Sequence, residues 1–232
     1  MSEIVNRTAA EDVIIENEGD EQRRAEDKSG VSEILQSTSL TEETSIVHNP
    51  QFAIYWHPNC VKHYIPDHPE EPGRVKSILE KLRKHFPEEA FRKCNSAKDE
   101  QILLFHDTNI VSQVKKLSNS SIQHFQHKHE EKYCRIDMDT VIMHHSKDSI
   151  YYATGSILTA IDHAFDPSLN ASQRIHTAYC VVRPPGHHAS PDISTGFCFF
   201  NNIGVAAKYA LSKYNISRLA ILDFDVHHGN GK

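Results

Sequence analysis

The feature that most restricts what this chain can fold into is the stretch from Arg218 to Gly231, Arg-Leu-Ala-Ile-Leu-Asp-Phe-Asp-Val-His-His-Gly-Asn-Gly. A short apolar run, Leu219 to Leu222, reads as a buried strand, and two carboxylates and two imidazoles follow it within six residues. Side chains alternate in an extended chain, so Asp223, Asp225 and His227 project to one side and Phe224, Val226 and His228 to the other. A plain strand end would carry scattered Ser, Thr and Lys. A face made of Asp, Asp and His suits a metal: carboxylate oxygens and neutral imidazole nitrogens bind Zn²⁺, and a catalytic zinc usually has three protein ligands and one open position. Asp225 and His227 are the natural ligand pair, with Asp223 one step deeper.

The segments just upstream give this stretch a setting. Thr177 to Val182 has a second buried-strand pattern, and Asn202 to Tyr214 places Ile203, Ala206, Ala207, Ala210, Leu211 and Tyr214 on one helical face. Strand, helix, strand predicts a βαβ unit with parallel strands and a right-handed crossover. Ligands of such sheets bind at the carboxyl ends of the strands. The loop Arg183-Pro-Pro-Gly-His-His-Ala and the metal-compatible stretch both leave from those ends and are expected to face each other. His187 and His188 are then candidates for general base and acid, with Asp223 and Asn230 orienting their second ring nitrogens. Gly196-Phe197 suits a narrow apolar wall, because glycine admits close backbone approach and an aromatic ring packs a linear alkyl chain.

Charge separates the chain into two parts. Residues 1–50 hold twelve Asp/Glu against four Lys/Arg, while the remainder is close to neutral, so the net charge of −6 resides in the N-terminal segment. That segment has no Phe, Trp or Tyr, and it predicts a disordered acidic tail over 1–50 ahead of a folded domain over 51–232. The near-neutral body argues against direct nucleic-acid binding. No apolar run reaches the roughly 18 residues of a membrane span, and no basic-then-apolar leader is visible. Five cysteines without a C-x-x-C pair argue for reduced thiols, hence cytosol or nucleus.

Within the body, Phe52 to Trp56 reads as a first strand and Arg74 to His85 as a helix, with a proline-rich loop between them. His57, Cys60, His63 and His68 in that loop match no standard zinc-finger spacing. Ile102 to Phe105 suggests a strand and Asn109 to Leu117 a helix. His124, His127 and His129 sit among Gln, Lys and Glu and suggest a solvated loop. A helix from about Ser149 to Phe165 carries Ala153, Gly155 and Ala160, which suggest close packing.

Arg183-Pro-Pro-Gly-His-His-Ala, Gly196-Phe-Cys-Phe-Phe-Asn-Asn and Asp223-Phe-Asp-Val-His-His-Gly-Asn-Gly resemble the signature segments of zinc-dependent histone deacetylases, and His68-Pro-Glu-Glu-Pro-Gly-Arg74 resembles the family's segment near the domain start. The double proline and Asn230 are more similar to the class II branch. The resemblance implies an α/β fold of the arginase/deacetylase type, a mainly parallel sheet flanked by helices, of which these residues would form the N-terminal portion. It implies Asp225 and His227 as zinc ligands, His187 and His188 as the catalytic pair, and Asp223 behind the first histidine. A structural K⁺ site would lie beside Asp223 and the carbonyls of Asp225 and His227. Gly196 and Phe197 would line the acyl-lysine tunnel, Asp139 would grip the substrate backbone at the rim, and Arg74 would stand near an acetate channel.

The family's third zinc ligand, an Asp, and its oxyanion-stabilising Tyr or His have no counterpart here, so the resemblance implies a truncated form with weak or no turnover. The expected function is hydrolysis of acetyl-lysine amides on histones or other proteins, in chromatin repression, with a corepressor-type complex and a nuclear or cytoplasmic location. The alternatives are a non-catalytic interaction module and an acetylpolyamine amidohydrolase.

Overall fold

The computed structural model describes residues 12–14 and 49–231. In chain order the elements are β1 (Asp12–Ile14), β2 (Phe52–Tyr55), α1 (Gly73–His85), β3 (Phe91–Arg92), α2 (Asp99–Ile102), α3 (Thr108–Lys128), β4 (Cys134–Arg135), β5 (Val141–Ile142), α4 (Ser146–Phe165), β6 (Thr177–Cys180), α5 (Asn202–Tyr214) and β7 (Ala220–Leu222). Strands β3, β2 and β6 form a parallel sheet in that order, with Ile54 opposite Phe91 on one side and Tyr179 on the other. β2 lies in the middle because every one of its residues is apolar and it can be covered on both faces.

The alternation along β2 distributes the layers. Ile54 packs with Val75 and Leu79 of α1, whereas Ala53 and Tyr55 pack with Ala160 of α4 on the opposite face. α4 is the central helix, and its apolar side meets α3 and α5 in the largest cluster, around Ile110, Ile157, Val205 and Tyr209. Close approach at α4 depends on Gly155, where a Cβ would stand 2.1 Å from the Asn95 carbonyl oxygen. α5 begins at Asn201, whose side-chain oxygen accepts from the Gly204 N–H at 2.8 Å, and ends at Asn215 in the left-handed region.

The strand over 52–55, the helices from 73 and from 146, and the strand–helix pair 177–214 follow the sequence expectations, except that β6 was expected buried and is exposed at Thr177 and Ala178 and half-buried at Tyr179 and Cys180, as the outer strand of its sheet. Four readings are corrected. Residues 99–106 are a short helix and turns, because Gln101 accepts from the Lys98 N–H and the amides of Ile102, Leu103 and His106 bond back along the chain. α3 extends through Lys128, so His124 and His127 lie on its last turns and His129 is its left-handed cap. Polar composition indicated a loop there, but 21 residues of helical backbone bonding carry the polar face.

The third correction concerns the strand that leads into the Asp/His stretch. β7 is exposed along its length and does not pair with β6; it pairs antiparallel with β1, Ile221 opposite Val13. The expected parallel βαβ pairing is replaced by this contact. An apolar run states that a strand can be covered, and its partners are chosen by distant segments. On α5, Leu211 was expected inward but is exposed, and Val205 and Tyr209 fill the inner face. The disordered-tail reading of residues 1–50 otherwise falls outside the described residues.

Candidate functional site

The site forms where three segments leave the framework together, the loop after β6, the turn before α5 and the stretch after β7. His187 is buried and its Nδ1 lies 3.0 Å from Asp223 Oδ2. His188 Nδ1 lies 2.6 Å from Asn230 Oδ1. Carboxylate and amide oxygens only accept, so both rings carry their hydrogen on Nδ1, and Nε2 is the nitrogen of each ring that can exchange a proton with a substrate. The two rings are 4.1 Å apart between centroids, and His188 stands 6.0 Å from His227 in an edge-on arrangement.

Of the alternation expected over 223–228, Asp223 and Asp225 turn inward and Phe224 and Val226 are exposed, but His227 is exposed as well, its side chain 72% accessible, because the chain bends at 226–227 and is no longer extended. The loop is wound by its own carboxylates. Asp223 Oδ1 accepts from the Asp225 N–H at 3.0 Å, and Asp225 Oδ1 accepts from the His227 N–H at 2.8 Å. Partial burial works against the Asp225 charge, but the backbone N–H and ring of His227, with His187 nearby, outweigh it and hold the carboxyl below its ordinary pKa. His227 Nδ1 is 3.0 Å from Asp225 Oδ1. Two ligand atoms on one tetrahedral zinc stand about 3.3 Å apart, so this pair fits two vertices of such a site. Among the described residues no three His, Cys, Asp or Glu side chains converge, so the fit is partial and a third donor would come from outside them.

Glycine fits the wall beside His188. Gly196 has φ +57°, and a Cβ there would lie 2.7 Å from His188 Cδ2, so any side chain would push the ring from its place. Phe197 follows with φ +68°, a costly conformation for an aromatic residue. Its N–H donates to Thr140 Oγ1 at 3.1 Å, and its ring meets the edge of His68 at 4.6 Å. His68 accepts from the Glu70 N–H at Nδ1 (3.1 Å) and therefore donates from Nε2 to the Asp139 carbonyl at 2.9 Å. Asp139 is thereby set at the rim, next to Phe197. Arg74 is placed at the root of the histidine loop, donating to the Val182 carbonyl at 2.7 Å.

The structure thus brings together His187, His188, Asp223, Asn230, Asp225, His227 and Gly196, and puts Phe197 and Asp139 on one adjoining rim. Of the loop histidines and Cys60, His63 is buried against Ser146 Oγ at 2.8 Å and His57 stacks on Tyr152, and neither is part of a metal cluster. Sequence reasoning missed several supports. Asn201, besides capping α5, donates from Nδ2 to the carbonyls of Ala189 and Gly231 at 2.9 and 3.0 Å, tying the histidine loop to the Asp/His loop. The Gly231 N–H donates to the His187 carbonyl at 3.0 Å, and a Cβ on Gly231 would fall 2.1 Å from the Ala189 oxygen. Arg183, fully buried, pairs with both oxygens of Glu70 at 2.8 Å and donates to the carbonyls of Cys60 and His63. The signal available for these was their place inside the same short segments.

A parallel α/β framework carrying paired, oriented histidines beside an adjacent Asp and His has a layout compatible with a metal-dependent hydrolase. Residues 68–232 match the histone deacetylase domain family, and the chain belongs to that family of zinc-dependent enzymes as a class II-like member. It is 33% identical over 216 residues to histone deacetylase 6 of Caenorhabditis elegans, covering 90% of this chain and 22% of the relative. It is 31% identical over 167 residues to the polyamine deacetylase HDAC10 of Danio rerio, covering 70% of this chain and 23% of that one. The crystal structure of the HDA15 HD domain is similar in fold, with a TM-score of 0.60 and 22% identity over 78% of this chain and 49% of that one. The chain therefore spans about a quarter of these two relatives and about half of the solved domain.

Proposed function

We propose that this chain carries the histidine pair, two zinc ligands and the substrate rim of a deacetylase that hydrolyses acetyl-lysine amides in proteins. The observation that carries the reading is the mutual placement of His187 on Asp223, His188 on Asn230, and His227 beside Asp225. Asp225 and His227 would hold zinc, which when bound supplies polarisation of the acetyl carbonyl and a more acidic water. His188, kept in one tautomer by Asn230, takes a proton from the attacking water at Nε2. The His187–His188 pair then returns that proton to the departing lysine amine, and Asp223, on the Nδ1 of His187, favours positive charge on that ring of the pair. Gly196 and Phe197 would flank the acyl-lysine stem, Asp139 would hold the substrate backbone, and Arg74 would lie by the acetate exit. Asp223 with the carbonyls of Asp225 and His227 is a proposed K⁺ site. Histones as substrate, a role in repression, a corepressor-type partner and a nuclear or cytoplasmic place belong to the same proposal.

Two converging donors hold zinc weakly, so hydrolysis of an acetyl-lysine peptide by the 232-residue chain is expected to be slow and to rise with added zinc. His188→Ala is expected to lower that rate by roughly 10²- to 10⁴-fold in a protein that still unfolds cooperatively. Faster hydrolysis of acetylspermidine than of peptides would move the reading to the polyamine class. Zinc-independent failure with both substrates, in folded protein, would favour a non-catalytic interaction module, a reading to which the partial ligand set lends support.

A further inference from the structure

Beside the rim a pocket of about 430 Å³ opens between the 65–69 loop and the 135–141 turn. Apolar Ile65, Met138, Val141 and Phe197 line it together with the charged Asp67, Asp139 and Arg135. Phe197 is shared with the wall beside His188, so the pocket adjoins the place where the reacting side chain would enter. We propose that it is a subsite for the side chain of a basic residue flanking the acetyl-lysine in the substrate, a proposal that rests on the deacetylase reading above.

The pocket suits such a side chain in both shape and charge. A single long side chain fits the volume, and Lys and Arg lay their methylene stems along apolar walls while keeping the charged head at a wet mouth. Among the described residues the Asp67 carboxylate has no hydrogen-bond or ion-pair partner, and Asp67 lines the pocket from the left-handed region at φ +57°. Asp139 lines the same pocket, its backbone carbonyl held by His68. Asp137, in the same turn, does not line the pocket; it accepts from the N–H groups of Asp139 and Thr140 at 3.1 and 2.6 Å and so fixes the turn that carries Asp139. Against these stands one guanidinium, Arg135, which donates to the Met138 carbonyl at 2.6 Å. The balance favours a cation and disfavours an acidic neighbour. An aliphatic stem with a terminal charge matches walls this apolar better than a polyamine, whose charges recur along its length.

The test is binding of fluorescent acetyl-lysine peptides to the zinc-supplemented chain, with Arg, Leu or Glu at the flanking positions. The Arg peptide should bind about three- to tenfold more tightly than the Leu peptide at low salt, the preference shrinking as salt rises, and the Glu peptide should bind most weakly. Asp67→Asn keeps a residue that tolerates the left-handed backbone and removes the charge; it should bring the Arg/Leu ratio toward one. Arg135→Gln should widen that ratio. Acetylated peptides that bind without regard to the flanking residue overturn the subsite alone. A ratio unmoved by Asp67→Asn does the same. Peptides that bind no better acetylated than unacetylated overturn the deacetylase reading and the subsite together. Displacement of the Arg peptide by acetylspermidine at concentrations below those of the unlabelled peptide assigns the pocket to polyamines and overturns the peptide proposal.

Discussion

At the scale of single residues, the site is a set of side chains held by short hydrogen bonds. His188 is the clearest case: its Nδ1 is held by Asn230 Oδ1 at 2.6 Å and its ring occupies space that Gly196 leaves open. Replacing Asn230 by Ala removes the acceptor that selects the Nδ1–H tautomer. The expected outcome is a mixture of His188 tautomers in the ring ¹⁵N spectrum and roughly a 10- to 100-fold fall in any zinc-dependent turnover, the usual effect of removing an orienting partner. A His188 ring that keeps a single tautomer in Asn230→Ala would show that packing against Gly196 orients it instead. The alternation of polar and apolar side chains from Asp223 to Val226 was legible directly, because extended backbone places them on opposite sides whatever surrounds it. The bonds of Asn201 and Gly231 were not, because their partners, Ala189 and His187, lie in a different segment and only folding brings the three together.

At the scale of elements, α4 is the member against which the others are arranged, and its tightest contact is Gly155 on the 95–97 segment. A methyl group there would meet Asn95 O at 2.1 Å and Ala97 N at 2.4 Å, both backbone atoms that cannot swing aside. Gly155→Ala is therefore expected to destabilise the fold by about 1–3 kcal/mol despite the better helix propensity of Ala, read as a lower urea midpoint with unchanged m-value. The small residues at 153, 155 and 160 had suggested such packing from sequence. The helices over 73–85, 146–165 and 202–214 were legible because one apolar face recurs at helical spacing. The stretch 102–105 was not: four apolar residues in a row have no period, and the choice between strand and helix fell to the Lys98–Gln101 capping bond. β7 likewise took its partner from β1, more than two hundred residues away in sequence, which no local pattern states.

At the scale of the molecule, burial of imidazoles ties stability to pH. Burial, helped by the Arg183 charge, pushes His63 down to about 3, and burial lowers His106 to about 4 against the pull of the Pro191 and Ser190 carbonyls. Both are neutral when folded: the Asn201 N–H donates to His106 Nε2 at 2.8 Å, and a proton there would abolish that bond. The unfolded chain takes up these protons near the ordinary value of 6.5. Their contribution is therefore complete above pH 6.5 and is lost as pH falls from 6.5 toward 4, on the order of 3 kcal/mol for His106. His57 and His145, also lowered mainly by burial, act in the same direction. Carboxylates held down by partners, such as Asp99 beside Lys115, lose their contribution only below their ordinary 3.8, so the window from 6.5 to 4 belongs to the histidines. Urea midpoints measured across that window should fall with pH, and His106→Gln should flatten the slope; an unchanged slope would mean His106 is not the neutral buried group described here. The sequence by itself determined the elements whose apolar period is regular, the family, and the residue types of the site, since side-chain chemistry and local backbone periodicity need no distant partner. Only the tertiary structure decided which strand covers β7, that the Asn201 amide joins the two site loops, and that Asp67, Asp139 and Arg135 share one pocket, because each of these is a contact between segments that the chain brings together only when it packs.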